Sequence, residues 1–591
     1  MKNVYLFQPQ YAVEFRKEKN YWLPYSVGCL WAYASQFSEI RENFNLKNLF
    51  YKRDPIDEIL VGLENPKVCG FSCYLWNEKY CLELARRIKE QWPDCLIVFG
   101  GSQVSGKMFK YDFIDCLVLA EGEEAFTDIL RHIINRTTPN RLYNRSRLTD
   151  LNIPSPYTIG IFDQIILENP SAIWAMTLET NRGCPYACTF CDWGGTTYSK
   201  VRKFDLDRIT KEMEWAAEYR VAYIFSADAN FGIFKERDLT IAKIMRSAAD
   251  RSMIEAINLQ FAKNSTEAVF EIAKIMGPFS RGVTVSVQSM HELTLDAIKR
   301  KNLEVNNIRH LLDLSKEFNV GTYTEVIVGL PLETKETWIT GLTELLELGQ
   351  HQSIDIWFTQ LLENSELATP ESRLKYGIKS ILVKDYMNLD QTNDQIAEHT
   401  EIVTATNTMS TDDMIESYMY AWMIIHCHIA GYTQIVSKYG RNVKSIPYKT
   451  FYNQLFIELQ QDLAFIDHYN LLKTTVSNYL QQGILTGSAG GHALHSISYE
   501  FMYKHRSEIL DLAIRVLKIF DNDVPNSLTS LQKMFIIDTN TQYPQQLETN
   551  YNVDTGKIRT TTYTATPRAE QIEDFYTIRR KGLIKNHLQI L

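Results

Sequence analysis

The chain reads as an α/β protein in three parts: an open α/β front domain, a partial six-strand parallel barrel, and a mostly helical C-terminal part. Three observations carry this. Apolar runs of four to seven residues alternate with helical patterns as far as Gln360, the mark of parallel sheets covered on both faces. Six strand–helix units are built around a loop with three close cysteines, Cys184, Cys188 and Cys191, which follows the first strand. Beyond residue 371 helical patterns dominate. The expected boundaries are 1–140, a connector at 141–170, 171–370 and 371–591.

In the front part, strands are expected at 4–7, 68–74, 96–99 and 116–120, with a helix from Tyr80. Ligands of such sheets bind beyond the carboxyl ends of the strands. Two glycine-bearing turns, Gly100-Gly101 and Glu121-Gly122-Glu123, lie at that edge. Residues 141–147 are basic and polar, and prolines 154 and 156 break any helix. Barrel strands are expected at 174–179, 222–228, 255–261, 282–289, 322–331 and 354–360. Such a barrel does its chemistry at the strands' carboxyl ends.

The chain has 591 residues, enough for several domains. It is 45% hydrophobic and 23% charged, an ordinary globular composition. No signal peptide is expected from the first residues, and no apolar run is long enough for a membrane span. Ten cysteines, mostly in apolar runs, suit a reducing compartment, so the cytoplasm is the expected location. A net charge of −9 gives no general attraction to phosphate backbones, so a nucleic-acid partner is not expected.

Cys184, Cys188 and Cys191 stand as C-x-x-x-C-x-x-C. Three thiolates so placed can hold three irons of a 4Fe–4S cube and leave the fourth open. Zinc or three buried thiols is the alternative. Zinc takes four ligands, often as two C-x-x-C knuckles, and no partner cysteine is near. The spacing, with Phe190 before the last cysteine, resembles the radical S-adenosylmethionine (SAM) superfamily. The resemblance implies a cluster on the three cysteines, SAM bound to the open iron by its amine and carboxylate, and Phe190 near the adenine.

Further strings carry a second resemblance. They are residues 70–77, ending in Tyr74, Leu75, Trp76 and Asn77; residues 100–105, namely Gly100, Gly101, Ser102, Gln103, Val104 and Ser105; and 120–124, with Glu121, Gly122 and Glu123. Residues 21–26 fit as well. In this order ahead of the cysteines they resemble the Rossmann-like cobalamin-binding domain of cobalamin-dependent radical SAM enzymes. The resemblance covers nearly the whole segment and implies that these residues contact cobalamin. A Rossmann-like domain that kept its shape and lost its ligand is the alternative. No histidine precedes His132, so the expected cobalamin is base-off with no histidine lower ligand. Trp76 either caps the lower face of cobalt or packs the interdomain seam. An indole N–H is a donor only and cannot ligate metal.

At the barrel strand ends, Asp228 and Asn230 follow strand two, although the superfamily's usual Gly-Gly-Glu is missing. Ser286 and Gln288 share a face of strand four by period two. They resemble polar groups near the methionine or ribose. Glu325 is a charge in an apolar strand, so it should pair with a cation or bond the cofactor. Gly329, in the string 328–334, resembles the superfamily turn that brings backbone near the adenine. Structural roles remain the alternative for each.

Helices are expected at 412–437, 451–465, 471–482 and 509–520, and a hairpin around 554–556. They should form a lid with substrate beneath. Residues 487–492 form a glycine-rich turn that lacks a phosphate-loop pattern. His426, Cys427 and His428 are a poor metal site, because residues i and i+2 of a helix point apart.

The resemblance implies a cobalamin-dependent radical SAM enzyme, foremost a methyltransferase. It would act on an unactivated carbon or a phosphorus centre of a small-molecule or peptide substrate, through a 5′-deoxyadenosyl radical and methylcobalamin. A flavodoxin or ferredoxin would supply the electron. Polar methyl transfer, a non-methylating reaction, a radical enzyme without cobalamin, and a non-catalytic cobalamin carrier or sensor all remain open.

Overall fold

The computed structural model describes residues 1–11, 13–15, 18–192, 200–262, 267–301, 304–384, 396–484, 494–536 and 545–565. The turn expected at 487–492 lies outside them. The strands in chain order are β1 (Lys2–Gln10), β2 (Val13–Phe15), β3 (Glu18–Trp22), β4 (Phe44–Lys52), β5 (Pro66–Ser72), β6 (Leu96–Gly100), β7 (Cys116–Ala120) and β8 (Leu142–Ser146). There follow β9 (Ile173–Leu178), β10 (Asn181–Arg182), β11 (Arg202–Lys203), β12 (Val221–Ser226), β13 (Ala256–Asn258), β14 (Val283–Thr284), β15 (Thr322–Val328) and β16 (Ile354–Phe358). The last are β17 (Lys379–Lys384), β18 (His399–Ala405), β19 (Gln545–Thr549) and β20 (Thr561–Ala565).

The front sheet is all parallel, in the order β4-β1-β5-β6-β7-β8. Its central strands are apolar on both faces, because helices cover both. β8 lies inside the stretch read as a connector. It is an edge strand with Leu142 exposed, and an edge tolerates its polar sequence.

The second sheet runs β13-β12-β9-β3-β2. Here the chain departs from a clean succession of parts. The β2–β3 hairpin leaves the front sheet, and β3 pairs parallel with β9, Asn20 opposite Ile173. A third sheet, β14-β15-β16, is parallel and carries the last three of the six strand–helix units. Among the described residues no ladder joins β13 to β14. β14 is shorter than expected because Gln288 takes φ +57, which breaks the extended run and leaves an isolated bridge to Val326.

The cores follow the same division. One cluster joins a face of the front sheet (Val4, Leu6, Val98) to the first barrel strands (Trp174, Met176, Ile224). Another joins the later strands (Val326, Val328, Ile356) to the C-terminal helices (Trp422, Leu455, Leu512). The long helical pattern near 412–437 is divided: helix Thr411–Met423, a wider π-type turn Ile424–Ile429, and helix Gln434–Asn442. β19 and β20 form the expected antiparallel hairpin. Among the described residues no helix is long and apolar enough to cross a membrane.

Candidate active site

β9 runs directly into the cysteine loop. Asp228, just past β12, builds the turn between them. Its Oδ1 accepts the main-chain N–H of Thr180 at 2.7 Å and of Asn181 at 3.0 Å, and its Oδ2 accepts the Thr180 hydroxyl. Burial pushes its carboxyl up to about 6, against the pull of those bonds. Gly183 then takes φ +109, a conformation that a β-carbon disfavours. Cys184 and Cys188 are buried and Cys191 is half-buried. The loop is gripped again at Thr189, whose N–H donates to Ile298 O (3.0 Å) and whose carbonyl accepts from the Leu367 N–H (2.8 Å). Asn230 Nδ2 donates to Cys184 Sγ at 3.4 Å, and the buried Arg300 side chain interacts electrostatically with Cys188. Among the described residues no three His, Cys, Asp or Glu side chains converge as one metal ion would require. A cube makes a different demand, since each thiolate holds its own iron.

Among the described residues, Asn230 Oδ1 and Gln288 Oε1 are buried acceptors at the strand ends with no hydrogen-bond partner. Orphaned buried acceptors are costly and point to a donor supplied by a ligand. Gln288 also holds its left-handed backbone, a strain typical of functional sites. The Ser286 carbonyl accepts from Arg300 Nη2. Glu325 stands opposite Asp355 in the β15–β16 ladder. Burial raises its pKa, Asp355 adds to the rise, and Arg281 and Arg300 oppose it. The cation nearest this pair, Arg281, bonds Asp355 at 2.6 Å. Gly329, at φ +88, lies under Met414 of helix Thr411–Met423, whose Cε would come within 2.6 Å of any β-carbon there. Phe190 packs on the apolar cluster of Leu361, Leu367 and Tyr376 at the barrel exit.

All three front-sheet turns are tethered to later parts of the chain. In the first, the Trp76 ring stacks on Tyr74 (4.5 Å, 4° between planes). The Trp76 Nε1 is buried with no hydrogen-bond partner. Leu75 beside it is half-buried. Asn77 closes the turn, accepting from the Tyr74 N–H and donating to the Ser72 and Pro9 carbonyls. Arg53 holds the Trp76 carbonyl at 2.9 Å and the buried Glu398 carboxylate at 2.7 Å. Glu398 in turn accepts the N–H groups of Lys79 and Tyr80 at the start of helix Glu78–Gln91.

In the second turn, Gly101 takes φ +106, and a β-carbon there would meet the Cys73 carbonyl at 2.5 Å. Gly100 has nothing closer than 3.6 Å. The Gln103 N–H donates to Cys73 O, and Val104 is core. Asn364 Nδ2 donates to the Ser102 and Val104 carbonyls, and Ser105 Oγ donates to Glu363 at 2.7 Å. In the third turn, Glu121 pairs with Arg202 and accepts the Leu148 N–H, while Glu123 meets Arg182 at 2.7 Å. Arg182 also holds Glu179 at 2.8 Å. Gly122 keeps Leu30 clear, which a β-carbon would approach to 2.8 Å.

A profile of the radical SAM superfamily matches residues 178–342. The 2-(S-pantetheinyl)-carbapenam-3-carboxylate methyltransferase of Streptantibioticus cattleyicolor is 35% identical over 465 residues, 73% of this chain and 67% of that protein. The cobalamin-dependent radical SAM methyltransferase TokK of Streptomyces tokunonensis is 35% identical over 459 residues, with the same coverage. This chain belongs to the cobalamin-dependent radical SAM methyltransferases. A solved methyltransferase structure, TsrM from Kitasatospora setae, is similar at 14% identity with a TM-score of 0.47, covering 62% of this chain and 75% of that one.

In this methyltransferase, membership brings a 4Fe–4S cluster, SAM and cobalamin. Several groups beside the residues just described were not singled out from sequence. Arg300 touches the cluster loop from a distant segment and left no local signal. Glu333 is buried, accepts from Ser289 Oγ at 2.7 Å and leaves Oε2 without a partner. Burial pushes its carboxyl up to about 8. A carboxylate two residues past Pro331 in an apolar turn was its readable signal. Glu78 follows the Trp76 turn and is raised to about 7 by burial and by the Glu398 and Glu363 charges. The His426–His428 triplet serves the C-terminal core: His428 bonds Tyr452 at 2.7 Å and His351 at 2.9 Å.

Proposed function

We propose that this enzyme methylates an unactivated carbon of a small molecule. When bound, the three groups supply one-electron cleavage of SAM to a 5′-deoxyadenosyl radical and a methyl group carried on cobalt. Cys184, Cys188 and Cys191 would hold the cluster. Asn230 Oδ1 and Gln288 Oε1 would accept from the SAM amine or ribose hydroxyls, and Phe190 would lie near the adenine. Asp228 serves the turn and leaves the amine to its neighbour Asn230. Trp76 would cap the lower face of cobalt, with Gly100, Ser102 and the Glu121–Glu123 turn along the cofactor's edge. His132, the first histidine, is spent on Thr137 and Asp128, which supports base-off cobalamin without a histidine ligand. A flavodoxin or ferredoxin would be the reductant.

The observation that carries this reading is the 2.7 Å ion pair between Glu123 and Arg182. It ties the carboxyl edge of the front sheet to the residue two before Cys184. That tie would bring the methyl donor and the radical source together, where exclusion of water protects a radical. An S-pantetheinyl carbapenam carboxylate, the compound class named for the Streptantibioticus relative, is the first substrate to assay. A compound with a P–H bond is the second.

The test combines three measurements. Product formed with methyl-deuterated SAM should carry the deuterium. The triple change Cys184→Ala, Cys188→Ala, Cys191→Ala should remove about four irons per chain and all SAM cleavage, while cobalamin stays bound. The cobalt(II) electron paramagnetic resonance (EPR) spectrum should lack axial nitrogen splitting, and Trp76→His should introduce it. Full iron in the triple variant, or nitrogen splitting in the wild type, would overturn the corresponding assignment.

A further inference from the structure

We infer that Arg300 sets the reduction potential of the cluster by keeping a buried positive charge beside the cysteine loop at Cys188. The inference rests on the cluster being held by Cys184, Cys188 and Cys191.

The geometry begins with helix Glu292–Ala297, which ends abruptly. Lys299 takes φ +52 and the Arg300 N–H returns to Leu295 O at 2.9 Å. This turn presses its backbone on the cysteine loop, since Ile298 O accepts the N–H of Thr189, the residue after Cys188. It aims the Arg300 side chain inward. The residue is only 5% exposed. One end of its guanidinium is fixed on the Ser286 carbonyl of the neighbouring strand segment. Burial pulls its pKa down, and Cys188, Cys191 and Tyr186 oppose that pull. Glu325 on β15 also feels its charge.

A buried guanidinium is expensive unless it faces negative charge. Neutral thiols do not supply that charge, whereas the thiolates of a bound cluster do. A 4Fe–4S cube with three thiolates carries net negative charge, and taking up an electron adds one more. A fixed cation beside the cysteine loop therefore favours the reduced form. Hydrogen bonds to the sulfurs and local charge are among the factors that set such potentials. Ser286 and the Ile298–Thr189 bond keep the charge in place in both redox states.

The test is a redox titration of the reconstituted protein without SAM, followed by EPR of the reduced cluster, with iron measured on the same samples. In Arg300→Gln, iron should be retained. Its reduced-to-oxidised ratio at a fixed potential should fall about tenfold or more, a negative shift of about 59 mV or more for one electron. Arg300→Lys keeps the charge and should stay within about threefold of wild type, under half of that shift. A wild-type potential in loaded Arg300→Gln overturns the inference. So do equal shifts in both variants, or loss of iron from both, which would leave Arg300 only a loop anchor. If Arg300→Gln alone loses iron, the Lys variant decides: a near-wild-type potential supports the role of charge, and a tenfold shift overturns it. A wild type that binds no cluster removes the cluster reading itself, and this inference with it.

Discussion

Asp228 accepts the Thr180 main-chain N–H at 2.7 Å, so a residue just past the second barrel strand sets the direction of the cysteine loop. Its other oxygen takes the Thr180 hydroxyl, and Asn181 completes the set. Asp228→Ala would orphan two buried N–H groups, at about 1–3 kcal/mol each. It should lower stability by about 2–5 kcal/mol and lose iron. Asp228→Asn keeps an acceptor for both N–H groups and should stay within about 1.5 kcal/mol of wild type with full iron. Thermal unfolding, iron content and SAM binding check this together. A well-folded, iron-loaded Asp228→Asn that no longer binds SAM would return Asp228 to the role of cofactor ligand.

Arg53 and Glu398 meet at 2.7 Å with both side chains almost wholly buried. Arg53 lies between the rings of Tyr11 and Tyr80 and holds the Trp76 carbonyl, while Glu398 caps the following helix. Removing one partner of such a pair costs about 3–5 kcal/mol. Glu398→Leu should cost more than Arg53→Met, because it also frees the Lys79 and Tyr80 N–H groups. The double variant should lie well short of the sum of the two. Additivity to within about 0.5 kcal/mol in urea unfolding would mean that the residues do not couple.

The parts of this site that were legible are those that local sequence encodes. Cysteine spacing marks a candidate ligand set by itself. Strand-end polar residues such as Asn230 and Gln288 stand out because an apolar strand precedes them. The tethers are another matter. Glu398 reaches Tyr80, and Arg300 reaches Cys188, across long stretches of chain, and each is a lone charge in its own neighbourhood. The β2–β3 hairpin is short and carries no mark of which sheet it will join; its partner, β9, is far ahead in the chain. Asp228 shows the opposite limit. Its position was readable, but a carboxylate at a strand end serves backbone or ligand equally well until its partners are known.

Gly100 and Gly101 separate packing from ligand contact. Gly101→Ala would drive a β-carbon to 2.5 Å from the Cys73 carbonyl and 2.7 Å from its nitrogen, at φ +106. Backbone atoms cannot swing away as side chains do, so this variant should be among the severe ones, at about 4 kcal/mol or more. Gly100→Ala meets only ordinary contacts at 3.6–3.7 Å. It should unfold within about 1 kcal/mol of wild type yet, with the cofactor placed as proposed, hold cobalamin less tightly. Unchanged cobalamin affinity in Gly100→Ala would place the cofactor elsewhere.

Glu333 gives the protein a pH dependence of definite sign. Burial holds its carboxyl at about 8 in the folded chain, against about 4.3 for an unperturbed glutamate. Between those values the native state keeps a proton that the unfolded chain has released. Stability therefore falls as pH rises through that window, by at most about 1.4 kcal/mol per pH unit from this group, and levels off above about pH 8. Asp228, at about 6, and Glu78, at about 7, act in the same direction over narrower ranges. Carboxylates held low by partners, such as Glu401 beside Arg373 and Asp413 beside Ser410, weaken the fold only in more acid solution. The cofactor-free chain should thus be more resistant to urea at about pH 5.5 than at about pH 8. Glu333→Gln replaces the acid by a neutral amide of the same shape and can still accept from Ser289. It should match wild type at the lower pH, exceed it at the higher, and flatten most of the slope between. A slope as steep in Glu333→Gln as in wild type would show that another group carries the proton.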